Sequence, residues 1–274
     1  MQSHIKNAHQ IATMKKIHYL NPYMQAPMHP ITVCLVGCGG TGSSLLTQLG
    51  RIHYALKELD HPGLMVRVFD PDSVSPSNIG RQLFSYADIG LNKAQVLTSR
   101  LNRFYGTDWL SFPSELITEE IKSNILISCV DSVSSRKKIY NQIKKYEGYS
   151  KSFNMAPPYR LYYWMDTGNT RDGGQVVLGT TQKIQQPIES SFETMEVLPT
   201  IFDLHPDIEQ HDNSEEQGPT CSVAEALTKQ DLFINTFIAQ FAGKLLFDLL
   251  NDRMTVHQGA YINLANYRTN PLKL

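Results

Sequence analysis

The sequence predicts an α/β protein built on a mostly parallel sheet with helices on both faces and an antiparallel extension towards the C-terminus. Three observations predict it. The runs ITVCLVG (31–37), LMVRVFD (64–70) and NILISCVD (124–131) are nearly continuous in apolar and β-branched residues, as expected of strands covered on both faces. Segments with apolar residues at helical spacing lie between these runs. A glycine-rich turn, Gly37-Cys38-Gly39-Gly40-Thr41-Gly42, follows the first of them.

Taken in order, residues 1–30 are polar, with Pro22, Pro27 and Pro30 and four histidines. They read as an N-terminal extension with one short helix near Gln10–His18. A single domain is expected over 31–274. After the first strand, Leu45, Leu46, Leu49, Ile52, Leu56 and Leu59 recur at helical intervals, with Ser43 and Ser44 available as caps. HPG at 61–63 ends this helix and LMVRVFD follows, so 31–70 forms a parallel βαβ unit by the right-handed crossover rule. This is a Rossmann-like opening.

Further on, NKAQVLTSRLNRFY predicts a helix, SELITEEI a short strand and turn, and RKKIYNQIKKYEGY a basic amphipathic helix. YRLYYWMDTGN and GQVVLGTTQKI read as later strands, giving a sheet of six to eight. Residues 184–228 hold ten acids, four prolines and no Lys or Arg, a composition that predicts a long loop; its portion 184–220 is taken as an acidic crossover loop. AEALTKQDLFINTFIAQFAGKLLFDLLND then carries Leu232, Ile238, Phe241, Leu245 and Leu249 at helical spacing, with enough polar residues to exclude a membrane span. GAYINLANYRTNPLKL closes the chain as one or two short strands.

Composition narrows the function. With 25 basic and 26 acidic residues in 274 and a net charge of −1, no global field points to nucleic acid or to an anionic membrane. The four cysteines, at 34, 38, 129 and 221, form no dense framework, which fits a reducing cytoplasm. The first sixteen residues lack the apolar core of a signal peptide.

The turn at 37–42 fits G-x-G-x-x-G, a pattern that brings backbone close to phosphate at a helix start. It does not distinguish a redox dinucleotide from ATP. Asp70 closes the next strand, where an acid accepts hydrogen bonds from ribose. Beyond it come Asn78, Arg81, Gln82 and Lys93. Two cations and two amides suit a triphosphate, with Arg81 as a forked donor and Lys93 as a mobile point charge. Asp131 follows the strand ILISCV at the carboxyl edge of the sheet, where it either caps a helix or holds Mg²⁺.

Gly37–Gly42, Asp70-Pro-Asp72, Ser77-Asn78-Ile79-Gly80-Arg81-Gln82, Gly90-Leu-Asn-Lys93 and Cys129-Val-Asp131 occur in the order and approximate spacing of the ThiF/MoeB/HesA adenylating family, relatives of ubiquitin-activating enzymes. The chain resembles that family over roughly 31–140 and more weakly at 218–250. Within it, the chain looks most like the ThiF-family proteins of PRTRC gene clusters. The resemblance implies binding of ATP and Mg²⁺, and transfer of AMP to the C-terminal carboxylate of a small ubiquitin-like (β-grasp) or sulfur-carrier protein. It places ATP on Gly37, Gly39, Gly40, Thr41, Gly42, Asp70, Asp72, Asn78, Arg81, Gln82 and Lys93. Asp70 would hold the ribose, Asn78, Arg81 and Lys93 the phosphates, and Asp131 the Mg²⁺. Homodimers are usual in the family, so one is expected here.

Cys221, in GPTCSVAEA, stands shortly before the last long helix. A thiol near a helix start gains thiolate character, and some family members place a thioester-forming cysteine in a similar position. The bland reading is an ordinary loop thiol. The C-x-x-C pairs by which many relatives bind structural zinc are absent, so no structural zinc is expected; His205 and His211 are weak ligand candidates. One departure stands out. Many relatives supply an N-terminal arginine to the γ-phosphate, whereas the first arginine here is Arg51, leaving Lys15, Lys16 or a partner protein to provide the cation. Two other readings compete: an NAD-type oxidoreductase, and a non-catalytic nucleotide-binding scaffold.

Overall fold

The computed structural model describes residues 16–208 and 230–274. In chain order its strands and α-helices are β1 (Lys16–Tyr19), α1 (Pro22–Gln25), β2 (Ile31–Val36), α2 (Gly40–Glu58), β3 (Leu64–Phe69), α3 (Lys93–Tyr105), β4 (Leu110–Phe112), β5 (Ile125–Ser128), α4 (Val133–Ser152), β6 (Tyr163–Asn169), β7 (Gly173–Thr180), β8 (Glu193–Thr194), α5 (Ile201–Leu204), α6 (Ile234–Asp252), β9 (Met254–Thr255), β10 (His257–Asn263) and β11 (Arg268–Lys273). The main sheet has eight strands in the order β11-β10-β7-β6-β5-β2-β3-β4. Strands β6, β5, β2, β3 and β4 run parallel, and β7, β10 and β11 add antiparallel pairs.

Because strand side chains alternate between faces, β2 sends Val33 and Leu35 to one core and Cys34 and Val36 to the other. On the first face Leu45, Leu46 and Leu49 of α2, Leu97 of α3, and Ile238, Ala242 and Leu246 of α6 complete the packing. On the second, Ile139, Ile143 and Tyr146 of α4 cover Leu126 and Trp164. Helices therefore cover both faces and leave the carboxyl ends of the parallel strands open at one edge. No helix among the described residues is long and apolar enough to cross a membrane.

Several local expectations change. The strand beyond α3 is Leu110–Phe112, whereas SELITEEI supplies only a 3₁₀ turn at Thr118–Glu120. The physical reason lies across the sheet: the Phe112 ring stacks on Phe69 at 4.5 Å, and the Arg67 guanidinium lies 4.6 Å from the Phe112 centroid. Helix α2 starts at Gly40 with Gly39 as its N-cap, so Ser43 and Ser44 lie inside it and do not cap it. Helix α6 begins at Ile234, leaving Leu232 exposed ahead of it; residues 224–229 lie outside the described residues. Within the acidic stretch, Glu193–Thr194 is a strand and Ile201–Leu204 a short helix, and 209–228 lies outside the described residues.

The largest departure is at the N-terminus. Lys16–Tyr19 is strand, not helix or irregular extension; Gln10–Lys15 lies outside the described residues. Strand β1 pairs in parallel with β8 and antiparallel with β9 in a small separate sheet. His18 locks it. Its Nδ1 is 2.6 Å from the Met195 carbonyl and its Nε2 is 3.0 Å from the Tyr163 hydroxyl, which also accepts from the Asn21 N–H at 2.9 Å. The Met195 carbonyl accepts from Nδ1–H, and in the neutral ring that burial favours Nε2 then accepts from the Tyr163 hydroxyl.

Burial lowers the His18 pKa, against the raising effect of its backbone bond to Met195. A histidine whose folded pKa is depressed contributes stability that is complete above its unfolded pKa, about 6.5, and is lost as pH falls through the folded value. His18→Phe is expected to cost about 1–3 kcal/mol at pH 7.5, through the unpaired Tyr163 and Met195 groups, and to flatten the fall in stability below about pH 6.5. Thermal unfolding of both proteins across that range measures it.

Candidate active site

A cleft of about 380 Å³ opens at the carboxyl ends of β2, β3, β5 and β6. It collects ten of the residues singled out in the sequence: Gly37, Gly39, Gly40, Thr41, Asp70, Asp72, Arg81, Gln82, Lys93 and Asp131. Gly42 is buried beneath the turn. Asn78 is not among the lining residues; its Oδ1 accepts from the Ser75 N–H at 2.9 Å and closes a 3₁₀ turn.

The glycines of the turn answer to different constraints. Gly37 has φ +91°, and a Cβ there would lie 2.7 Å from the Cys129 carbonyl oxygen. A Cβ on Gly42 would sit 1.9 Å from the carbonyl oxygen of Gly37, and one on Gly40 would sit 2.4 Å from Asn235 Nδ2. Gly39 differs. Nothing lies within 4 Å of its Cβ position, and it faces the cleft. It also gives α2 no side-chain cap, so the first N–H groups of a 19-residue helix are available to an anion at this edge.

Asp70 is buried and uses both oxygens on backbone: Oδ2 accepts from the Cys38 N–H and Oδ1 from the Asp72 N–H at 2.8 Å. Burial raises its pKa, opposed by those two N–H groups and by Lys93. Each carboxylate oxygen keeps a further lone pair for a hydroxyl donor. Asn92 caps α3 and its Nδ2 donates to the Asp70 and Asp72 carbonyls at 2.8 and 3.0 Å, which places Lys93 at the first helical position. There Lys93 Nζ meets Asp72 Oδ2 at 2.9 Å, with side chains 10% and 63% exposed. Arg81 is half-buried, which lowers its pKa, yet a guanidinium stays cationic at neutral pH. Gln82 Oε1 is buried without a hydrogen-bond partner, an acceptor left open in the cleft wall.

Asp131 follows β5 and is exposed on the cleft. Ser132, not Asp131, caps α4, accepting from the Ser135 N–H at 3.1 Å. No group of three or more His, Cys, Asp or Glu that could hold a metal occurs among the described residues. Asp131 is one of the carboxylates on the cleft, and Mg²⁺, which keeps most of its waters, takes one or two carboxylates when it binds with phosphates. Behind it, Arg136 Nε donates to Asp166 Oδ1 at 2.8 Å, and Arg136 also donates to the Thr167 carbonyl at 3.2 Å.

Asn235, on α6, is the residue that sequence reasoning missed. Its Oδ1 accepts from Thr41 Oγ1 at 2.9 Å and from Asn169 Nδ2 at 2.6 Å, and its Nδ2 donates to Gln230 Oε1 at 2.9 Å. An asparagine in an apolar helical pattern was its only sequence signal. Other candidates fall elsewhere. Burial pushes the Cys34 and Cys129 thiols up to about 12 and the Cys38 thiol well above its usual range, which disfavours their thiolates at neutral pH. His205 Nε2 meets the Tyr261 hydroxyl at 2.7 Å. Lys16 pairs with Glu193 at 3.4 Å and does not line the cleft. Cys221, His211 and Lys15 lie outside the described residues.

The sequence matches the ThiF family over residues 10–270. No curated protein matches it. Among solved structures, PaaA aligns with a TM-score of 0.55 at 13% identity, over 91% of this chain and 65% of that one. MccB of E. coli gives 0.55 at 14%, over 91% and 64%. MccB solved with AMPCPP and MccA gives 0.53 at 14%, over 91% and 65%. The chain spans just under two thirds of the length of these neighbours, and at such identities the likeness is one of fold.

The two kinds of glycine separate by experiment. Gly42→Ala is expected to lose roughly 3 kcal/mol or more, because its methyl meets backbone that has no room to yield. Gly39→Ala is expected to stay within about 1 kcal/mol of the parent protein and to weaken triphosphate binding. Thermal unfolding and calorimetric titration of ATP measure the two effects; equal destabilisation by both would contradict the assignment.

Proposed function

Since the chain belongs to the ThiF family, we propose that it is an ATP- and Mg²⁺-dependent adenylating enzyme that joins AMP to the C-terminal carboxylate of a small ubiquitin-like or sulfur-carrier protein. The observation that carries this reading is the convergence of the glycine turn, Asp70, Arg81, Lys93 and Asp131 on one cleft. A carboxylate oxygen of the carrier attacks the α-phosphorus of ATP. The bond to the bridging oxygen breaks, and pyrophosphate leaves with the electron pair.

Charge builds on that leaving group. Lys93, nearly buried, and Arg81, half-buried, stabilise it more than they stabilise bound ATP. Asp70 accepts from the ribose, whereas Asn78, which closes its own turn and does not line the cleft, is given no phosphate contact. Asp131 would hold Mg²⁺, which would supply neutralisation of phosphate charge. A fold neighbour, MccB of E. coli, was solved with AMPCPP and MccA, which is in keeping with a nucleotide in this cleft. An NAD-type reading shares the turn and Asp70 but leaves Arg81, Lys93 and Asp131 without work. The proposal includes a cytoplasmic homodimer, a carrier of β-grasp fold and the PRTRC subgroup.

Carrier-dependent exchange of labelled pyrophosphate into ATP tests adenylation. Lys93→Ala and Asp131→Ala are each expected to slow exchange by about 100-fold. Wild-type-like exchange in both variants, or preferential binding of NADH over ATP, would sink the reading.

Cys221 is proposed to take the acyl group from the adenylate as a thioester. That step forms a carbon–sulfur bond from the thiolate and expels AMP. A carrier-linked species on a nonreducing gel is expected, cleaved by excess thiol and missing from Cys221→Ala. Its persistence in the variant would place the linkage at another residue.

A further inference from the structure

We propose that Asn235 is a positioning residue for the nucleotide, fixing the first turn of α2 from outside that helix. The proposal rests on the nucleotide reading of the cleft. Helix α2 has no side-chain cap of its own, because Gly39 supplies none. Its first turn is held by Asn235 instead. Thr41 Oγ1 donates to Asn235 Oδ1, and the Asn235 amide occupies the space in which a Gly40 Cβ would stand. Both Thr41 and Asn235 are buried, so this bond forms where water competes little and its geometry is well defined.

Asn235 is in turn fixed from two sides. Asn169, at the end of β6, donates to the same Oδ1, and Gln230, just before α6, accepts from Nδ2. The setting of the phosphate-facing turn therefore depends on the end of β6 and the start of α6, elements far from the turn in sequence. A neutral amide suits this place: a carboxylate would accept the same two hydrogens but repel an incoming phosphate. By linkage, anything that shifts 230–235 changes phosphate affinity, and bound phosphate stabilises that arrangement in return.

The test is a double-mutant cycle on the whole 274-residue chain. ATP and adenosine affinities are measured by calorimetry for wild type, Thr41→Ser, Thr41→Val, Asn235→Ala and Thr41→Val/Asn235→Ala. Thr41→Val and Asn235→Ala are each expected to weaken ATP about tenfold, and the double variant by about the same factor, since the Thr41–Asn235 bond, lost in both, is the one that reaches the turn. Thr41→Ser, which keeps the hydroxyl, is expected to recover most of the affinity that Thr41→Val loses. Adenosine affinity is expected to stay within about twofold throughout, which a general loss of structure would not allow.

An additive loss of about 100-fold in the double variant, equal losses for adenosine and ATP, or no loss in any variant overturns the proposal. Should Asn235→Ala fail to fold, the contrast between Thr41→Val and Thr41→Ser decides it. Absence of ATP binding by wild type would instead refute the nucleotide reading itself.

Discussion

The ligand edge rests on a close backbone approach. The carbonyl of Cys129, at the end of β5, presses against Gly37 at the end of β2, and the carbonyl of Gly37 presses against Gly42 in α2. Hydrogen bonds from Gly37 N–H to the Phe69 carbonyl and from Cys129 N–H to the Val36 carbonyl, both 2.8 Å, lash the three strand ends together. With so little space between them, helix α2 points its uncapped end at the cleft and keeps it there. The side chains around the cleft inherit their positions from this arrangement.

Charge is distributed around that frame asymmetrically. Lys93 is nearly buried while its partner Asp72 is mostly hydrated, so the cation is held out of water with its counterion on the solvent side. This is preorganisation of the kind a developing anion exploits. Deeper in the fold, Asp166 Oδ1 accepts from both Arg136 and Ser128, while its Oδ2 has no partner. Burial raises the Asp166 pKa, and Arg136 and Ser128 oppose the rise. Removing one partner of such a buried pair costs about 3–5 kcal/mol, and here the pair also ties the first turn of α4 to the end of β6.

The parallel strands were legible because burial on both faces imposes continuous apolar runs, and the glycine turn because backbone contact excludes side chains. The cations followed from their position after Asp70. What stayed hidden depends on partners remote in sequence. Nothing local in KIHY announces a strand, because its reason is the bond from His18 to Met195 and Tyr163. Phe112, not SELI, makes the strand beyond α3 because Phe69 and Arg67 receive it. Asn235 looked like a polar interruption of an apolar helix until Thr41, Asn169 and Gln230 surrounded it. Asn78 has the right neighbours in sequence, but its Oδ1 is committed to its own turn.

The small sheet built on β1 also has a consequence in time. Its three strands come from Lys16–Tyr19, Glu193–Thr194 and Met254–Thr255, so β1 has one partner more than 230 residues downstream. At about 5–20 residues per second of synthesis, β1 waits at least ~10 s on the ribosome before β9 exists to flank it. The Rossmann-like half can form earlier from neighbouring segments. A nascent chain thus carries β1 without its antiparallel neighbour until Met254–Thr255 has been made, and closure of this sheet reports that the whole span from β1 to β9 is present.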